Sequence, residues 1–147
     1  MCLKLFNKIF TDGTSKDSAY LKHFYIPKFA KSDWIAARSI CQSYGLEFAT
    51  FSSLTEVNSL KYLDGKDYIL IGGTTSTGKS LSDWYWVTTG EKINFEIPWY
   101  PGEPSFSSEN ENCMNLIKSG SNEYKFNDAP CDDARLPFIC EKIEWSQ

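Results

Sequence analysis

Histidine is the scarcest reactive side chain in this sequence, with His23 alone among 147 residues. It stands remote from every cysteine and reads as a structural side chain, because no nucleophile and base are spaced for it to join. C-x-x-C pairs are absent too, so the thiolate and imidazole spacing of a zinc site is missing. The chain lacks any cluster of Lys and Arg, and its pI is near 5.0. That excludes a phosphate-binding face for nucleic acid and disfavours an anionic membrane surface. No apolar run approaches the ~20 residues of a spanning helix. The longest candidate, Tyr68 to Gly73, is strand-sized, and no membrane span is expected. N-x-Ser/Thr sequons, internal repeats and low-complexity tracts are lacking as well, so no sugar attached to the protein itself is predicted.

What remains is one domain's length of chain, enough to bury roughly two thirds of its unfolded surface around a single core. An aromatic content of 16% suits a loop-rich fold in which a few large side chains do the packing, and Trp84, Trp86 and Trp99 are assigned to that core. Five cysteines stand at positions 2, 41, 113, 131 and 140. With zinc spacing missing they point to disulfides, and so to a secreted, extracellular protein. The opening MCLKLFNKIF is interrupted by Lys4, Asn7 and Lys8 and makes a poor signal peptide, so the chain is read as a mature segment with Met1 added to it. Acidity is concentrated in one place. Between Glu103 and Asp133 seven acids meet two bases, Lys118 and Lys125, a local balance of -5 in a chain that sums to -4. Such crowding suits either a solvated loop or a hard cation that takes oxygen ligands.

Residues 1 to 20 read as an exposed lead-in carrying Cys2, and residues 21 to 147 as the folded domain. LKHFYIPKF looks like a first strand, with Pro27 fitting an edge position. A helix follows, capped by Ser32 or Asp33, with Trp34, Ala37, Cys41 and Tyr44 on one stripe and Gly45 as its C-terminal stop. Ser53-Leu54-Thr55-Glu56 is a capping-box pattern opening a second helix that carries Val57, Leu60 and Leu63 and stops at Gly65. From Tyr68 the texture changes to strand-like runs: YILIGG, DWYWVTTGE, CMNLI and RLPFICEKI. Helices first and strands later predict an α+β domain, with a long irregular region from about Thr74 to Cys113 of the length that functional loops have.

The helix bearing Cys41, the IGG at Ile71 to Gly73, WVTTGE, WYPGEPS, ENC, FND, Cys131 and the terminal FICE together resemble the C-type lectin domain over about residues 22 to 142. The likeness is to secreted single-domain members of insect type. It implies two helices flanking antiparallel sheets with a long irregular loop region, and disulfides Cys41–Cys140 and Cys113–Cys131. It also implies non-catalytic binding of glycans through one Ca2+, in innate recognition of microbial surfaces.

The metal ligands so implied are Glu103, Ser105, Glu111, Asn127 and Asp128, with Glu103, Ser105, Glu111 and Asn127 also meeting the sugar. Carboxylates, an amide and a hydroxyl suit a cation that takes six to eight oxygens. Pro104 is the expected place of a cis peptide bond. Ser105 stands where such sites carry Asn or Asp; its shorter, neutral ligand lowers the expected affinity and blurs the mannose or fucose preference that the leading Glu103 implies. A second ion is not expected, because Phe106, Asn112 and the TTSTGKS segment supply no carboxylate. Phe106 is free to stack on a sugar or to anchor the loop. Cys2 reads either as half of an intermolecular disulfide, in a homodimer or heterodimer, or as an inconsequential thiol. The alternative function is a lectin-like module that binds a protein partner. A glycosidase pair of Glu103 and Glu111 is disfavoured, because it needs one raised acid and calcium would hold both ionised.

Overall fold

The computed structural model describes residues 2–11, 19–28, 30–60, 66–76, 81–107, 111–120, 123–132 and 135–145. The expected stop of the second helix at Leu63 and Gly65, and most of the TTSTGKS segment, lie outside them.

Helix α1 (Trp34–Ser43) starts where the Asp33 carboxylate accepts from the Ala36 amide at 2.8 Å. That satisfies one of the orphan donors of its first turn. Trp34, Ala37 and Cys41 form the buried stripe, whereas Tyr44 is the exposed C-cap and not part of it. Gly45 ends the helix at φ 72°, its amide donating to the Gln42 carbonyl at 3.0 Å while Leu46 donates to that of Cys41. Helix α2 (Leu54–Asn58) forms half of the expected box. Ser53 accepts from the Glu56 amide at 3.3 Å, but the Glu56 carboxylate turns into the protein instead of returning to Ser53.

The strands are β1 (Cys2–Thr11), β2 (Ala19–Pro27), β3 (Glu47–Phe48), β4 (Tyr68–Thr74), β5 (Tyr85–Trp86), β6 (Cys113–Ser119), β7 (Glu123–Ala129) and β8 (Cys140–Trp145). They form two four-stranded antiparallel sheets in the orders β1-β2-β8-β3 and β5-β4-β6-β7. Two sequence readings need correcting. Half of the expected lead-in is strand β1, which pairs with β2 from Cys2 opposite Pro27 to Thr11 opposite Ala19. Pro27 is consequently the last residue of an interior strand and not an edge breaker; at a strand end its missing N–H costs no interior ladder bond.

The sheets are joined at Leu70, which donates to the Pro137 carbonyl at 2.9 Å and accepts from Ile139 at 3.1 Å. The main core fills between them with Phe24, Phe51, Ile71, Trp84, Trp86, Met114 and Phe126, so the tryptophans pack as expected, with Trp99 half-buried against this cluster. A second cluster seats α1 through Trp34, Ala37, Phe48 and Phe138. Gly72 and Gly73 are dictated by close approach: a Cβ on Gly72 would lie 2.8 Å from the Ala49 carbonyl oxygen, and one on Gly73 would lie 2.5 Å from the Met114 sulfur.

Both disulfides implied by the resemblance are present. Cys41–Cys140 spans 99 residues and Cys113–Cys131 spans 18, which by chain entropy stabilises by about 4–5 and about 3 kcal/mol. The long bridge ties α1 to the last strand. The short one closes the base of β6 and β7, where the acidic segment ends.

One cluster escaped the sequence reading altogether. On β2 the alternation Tyr20, Lys22, Phe24, Ile26 points inward, and Lys22 is fully buried with it. Its ammonium donates to the Thr50 carbonyl at 2.7 Å and to Glu56 at 2.7 Å, and lies 3.4 Å from Glu141. Glu56 further accepts from Tyr20, from the Ser52 amide and from the Ser52 hydroxyl. Burial pushes the Glu141 carboxyl up, while Lys22 and Thr50 pull it back.

A candidate oxygen-donor site at the long loop

The WYPGEPS segment reaches the sheet by a short run of backbone pairing. Trp99 bridges Phe126 of β7 in parallel: Phe126 donates to the Pro98 carbonyl at 3.0 Å and Tyr100 donates to that of Phe126 at 2.8 Å. Pro101 and Gly102 then turn the chain, with Gly102 at φ 87° and the Glu103 amide donating to the Tyr100 carbonyl at 2.8 Å. Proline followed by a glycine at positive φ is the pairing that a type II turn requires. Docking next to Phe126 delivers Glu103 beside Asp128, two residues on along the same strand.

The Glu103–Pro104 peptide is cis, as expected. The Ser105 amide donates both to Glu103 at 3.1 Å and to Asp128 at 3.0 Å. Phe106 donates to the other Asp128 oxygen at 2.8 Å. To do so it adopts φ 48°, an unfavourable region for a bulky residue, and its ring packs against the main core. Of the two roles open to Phe106, the structure shows the anchor.

Asp128 is buried and its carboxyl lies above the usual carboxylate range. Burial is the main cause and the facing Glu103 adds to it, against the pull of the Phe106 and Ser105 amides. Two carboxylates thus meet over one N–H, an arrangement that a cation would relieve.

Glu111 enters from the other side. Asn112 accepts from the Thr75 amide at 3.0 Å and from the Thr74 hydroxyl at 2.7 Å, which fixes the approach to Cys113. The Glu111 carboxylate accepts from the Ser107 amide, from the Ser107 hydroxyl at 3.0 Å and from the Ser105 hydroxyl at 3.4 Å. Asn127 donates its amide to the side chain of Asn115, its cross-strand partner, at 2.9 Å. Asn115 is almost fully buried, so the pair sets how Asn127 presents its oxygen.

Four of the five residues singled out from sequence are linked by hydrogen bonds, and Asn127 adjoins Asp128 on β7 with its side-chain bond going to Asn115 instead. Glu103, Ser105 and Asp128 are joined by the Ser105 amide, Glu111 reaches Ser105 through a hydroxyl, and Asn127 is held by β6. Among the described residues, no three His, Cys, Asp or Glu side chains stand as a ready metal-ligating group. Asn115 and Ser107 were missed in the sequence reading. Asn115 was legible only as the cross-strand partner of Asn127, and Ser107 only as a hydroxyl four residues before Glu111.

The sheet pair, the two bridges and the long loop define a lectin-like α+β fold, and the comparisons with known proteins make the class specific. A family model described as the Lectin C-type domain matches residues 30–142. The chain belongs to the C-type lectin domain family. Mouse C-type lectin domain family 4 member K is 35% identical over 123 residues, covering 82% of this chain and 35% of that protein. Human C-type lectin domain family 4 member G is 30% identical over 120 residues, covering 80% of this chain and 39% of that protein. This chain thus spans little more than a third of the length of these two relatives. Among solved structures, the carbohydrate-recognition domain of mouse scavenger receptor C-type lectin superposes with a TM-score of 0.67 at 28% identity, over 92% of this chain and 94% of that one. The Ca2+-independent C-type lectin SPL-2 from Saxidomus purpuratus shares the fold, with a TM-score of 0.62 at 23% identity, over 87% and 88%.

Proposed function

We propose that this domain binds glycans through a single Ca2+ held by Glu103, Ser105, Glu111, Asn127 and Asp128. The observation that carries the reading is the meeting of Glu103 and buried Asp128 over the Ser105 amide, a pair whose charges oppose each other without a cation. All the donors are oxygens, the set that Ca2+ prefers, and the main-chain carbonyl of Asp128 adds a further one. When bound, the ion supplies open coordination positions for two adjacent sugar hydroxyls. Glu103 and Glu111 then accept the hydroxyl protons, and the Asn127 amide donates to a hydroxyl oxygen. The carboxylate-led tripeptide favours mannose- or fucose-type diols, and Ser105 relaxes that preference. No catalytic step is assigned.

The rest of the reading follows from the same fold. The two bridges suit an oxidising, extracellular location, and the glycans assigned to the site are those of microbial surfaces. No helix among the described residues is long and apolar enough to cross a membrane. Residues 21–147 are assigned to the recognition domain, to whose first sheet β1 adds an edge strand, and Cys2, at the start of β1, is assigned to a disulfide with a second chain, read out as a dimer band on a non-reducing gel.

A protein-binding module is the second reading, favoured by the lack of a preformed ligand group among the described residues. Retention on mannan beads with Ca2+, abolished by EDTA and by Glu103→Ala, supports the lectin reading. Retention that ignores both treatments, or no retention, favours the module.

A further inference from the structure

We propose that Ser107 is an internal latch on Glu111 and sets the calcium concentration at which the site closes. The inference rests on the calcium reading and concerns the regulation of that same site. In the structure both Glu111 oxygens accept from the Ser107 hydroxyl at 3.0 Å, and the Ser107 amide donates to one of them. The Ser105 hydroxyl adds a further donor at 3.4 Å. These are the lone pairs that a cation and a sugar hydroxyl would need, and a serine O–H on a carboxylate has the chemistry of a sugar O–H on the same carboxylate.

The other half of the site differs. Asp128 and Glu103 already meet at the Ser105 amide, and Phe106, anchored in the core, fixes Asp128. Ser107 is exposed, so its contact with Glu111 is the one open to exchange with an ion from solvent. Closing the site means exchanging Ser107 donors for the ion, and each donor given up raises the Ca2+ needed.

Calorimetric titration with CaCl2 of the native chain, Ser107→Ala and Ser107→Thr tests the latch, together with the Ser107 amide signal by NMR. Loss of the hydroxyl should tighten calcium binding about three- to tenfold, the effect of removing one solvent-exposed hydrogen bond, shared between the two oxygens, from the competing state. Ser107→Thr, which keeps the hydroxyl, should bind like the native chain. In the native chain the Ser107 amide proton should be slow to exchange without calcium and should shift when calcium is added. Binding by Ser107→Ala where the native chain binds none would also support the latch. If the native chain binds and Ser107→Ala binds equally or more weakly, the latch falls and the calcium reading stands. If neither binds, both fall.

Discussion

Carboxylates are crowded in two places in this molecule, and the chain answers the crowding differently in each. Inside the scaffold, Glu56 and Glu141 share the ammonium of Lys22, and all three side chains are at most 4% exposed. In the loop, Glu103, Glu111 and Asp128 receive backbone amides and serine hydroxyls from the described residues. A built-in cation makes the first cluster part of the fold. Backbone amides are the donors to Glu103 and Asp128 among the described residues, and a pair held that way is suited to an ion from outside. Removing charge should therefore damage the scaffold and spare the loop's fold while ending its binding.

The largest effect is expected at Lys22. Lys22→Met strands two buried carboxylates, and chemical denaturation should show a loss of about 3–5 kcal/mol. A loss below about 1 kcal/mol would mean that the cluster is wetter than its burial indicates. Gly72→Ala attacks the scaffold without touching charge. Its Cβ meets a backbone oxygen that cannot swing away, so a loss of about 1–3 kcal/mol is expected, with the calcium affinity of the remaining folded protein unchanged.

Asp128→Asn gives the opposite split. Neutralising a buried acid that Glu103 already opposes should leave calcium-free stability within about 1 kcal/mol of native, while calcium affinity falls at least about tenfold. A destabilised Asp128→Asn would place Asp128 with the scaffold and erase the distinction.

The smallest effect appears only in alkali. Burial, first of all, pushes the Tyr20 and Tyr124 phenols from 10.0 up to about 12, with Glu56 adding to Tyr20 and Asp67 to Tyr124. Because the folded values lie above the unfolded one, their contribution is fully present below pH 10 and is lost as pH rises toward about 12. Denaturation midpoints should fall through that window, and Tyr124→Phe should fall less.

How far the sequence carried these two regions differs as well. The proposed loop site was read from the family resemblance, whose motifs are local: WYPGEPS with its Glu-Pro pair, Glu111 two residues before Cys113, and Asn127-Asp128 ahead of Cys131. Helix α1 was legible from local signals too, through Asp33 and Gly45. The Lys22 cluster was not, since its members lie 34 and 85 residues apart along the chain from Glu56 to Lys22 and from Glu141 to Glu56, and they meet only when β8 pairs with β2 and α2 packs beside them. Glu56 illustrates the limit: its spacing from Ser53 reads as a capping box, yet tertiary pairing with Lys22 and Tyr20 outweighs the local bond. Strand β1 was obscured because the polar TDGTSKDS run made residues 1 to 20 read as lead-in, and only pairing with β2 reveals the strand.

The decisive measurement is a calcium titration by calorimetry on the native chain and on Glu103→Ala. One binding event per chain, lost in the variant while the circular dichroism stays native, is the expected result. A native chain that shows no heat with Ca2+ at millimolar concentration, yet still binds its partner, would contradict the calcium account.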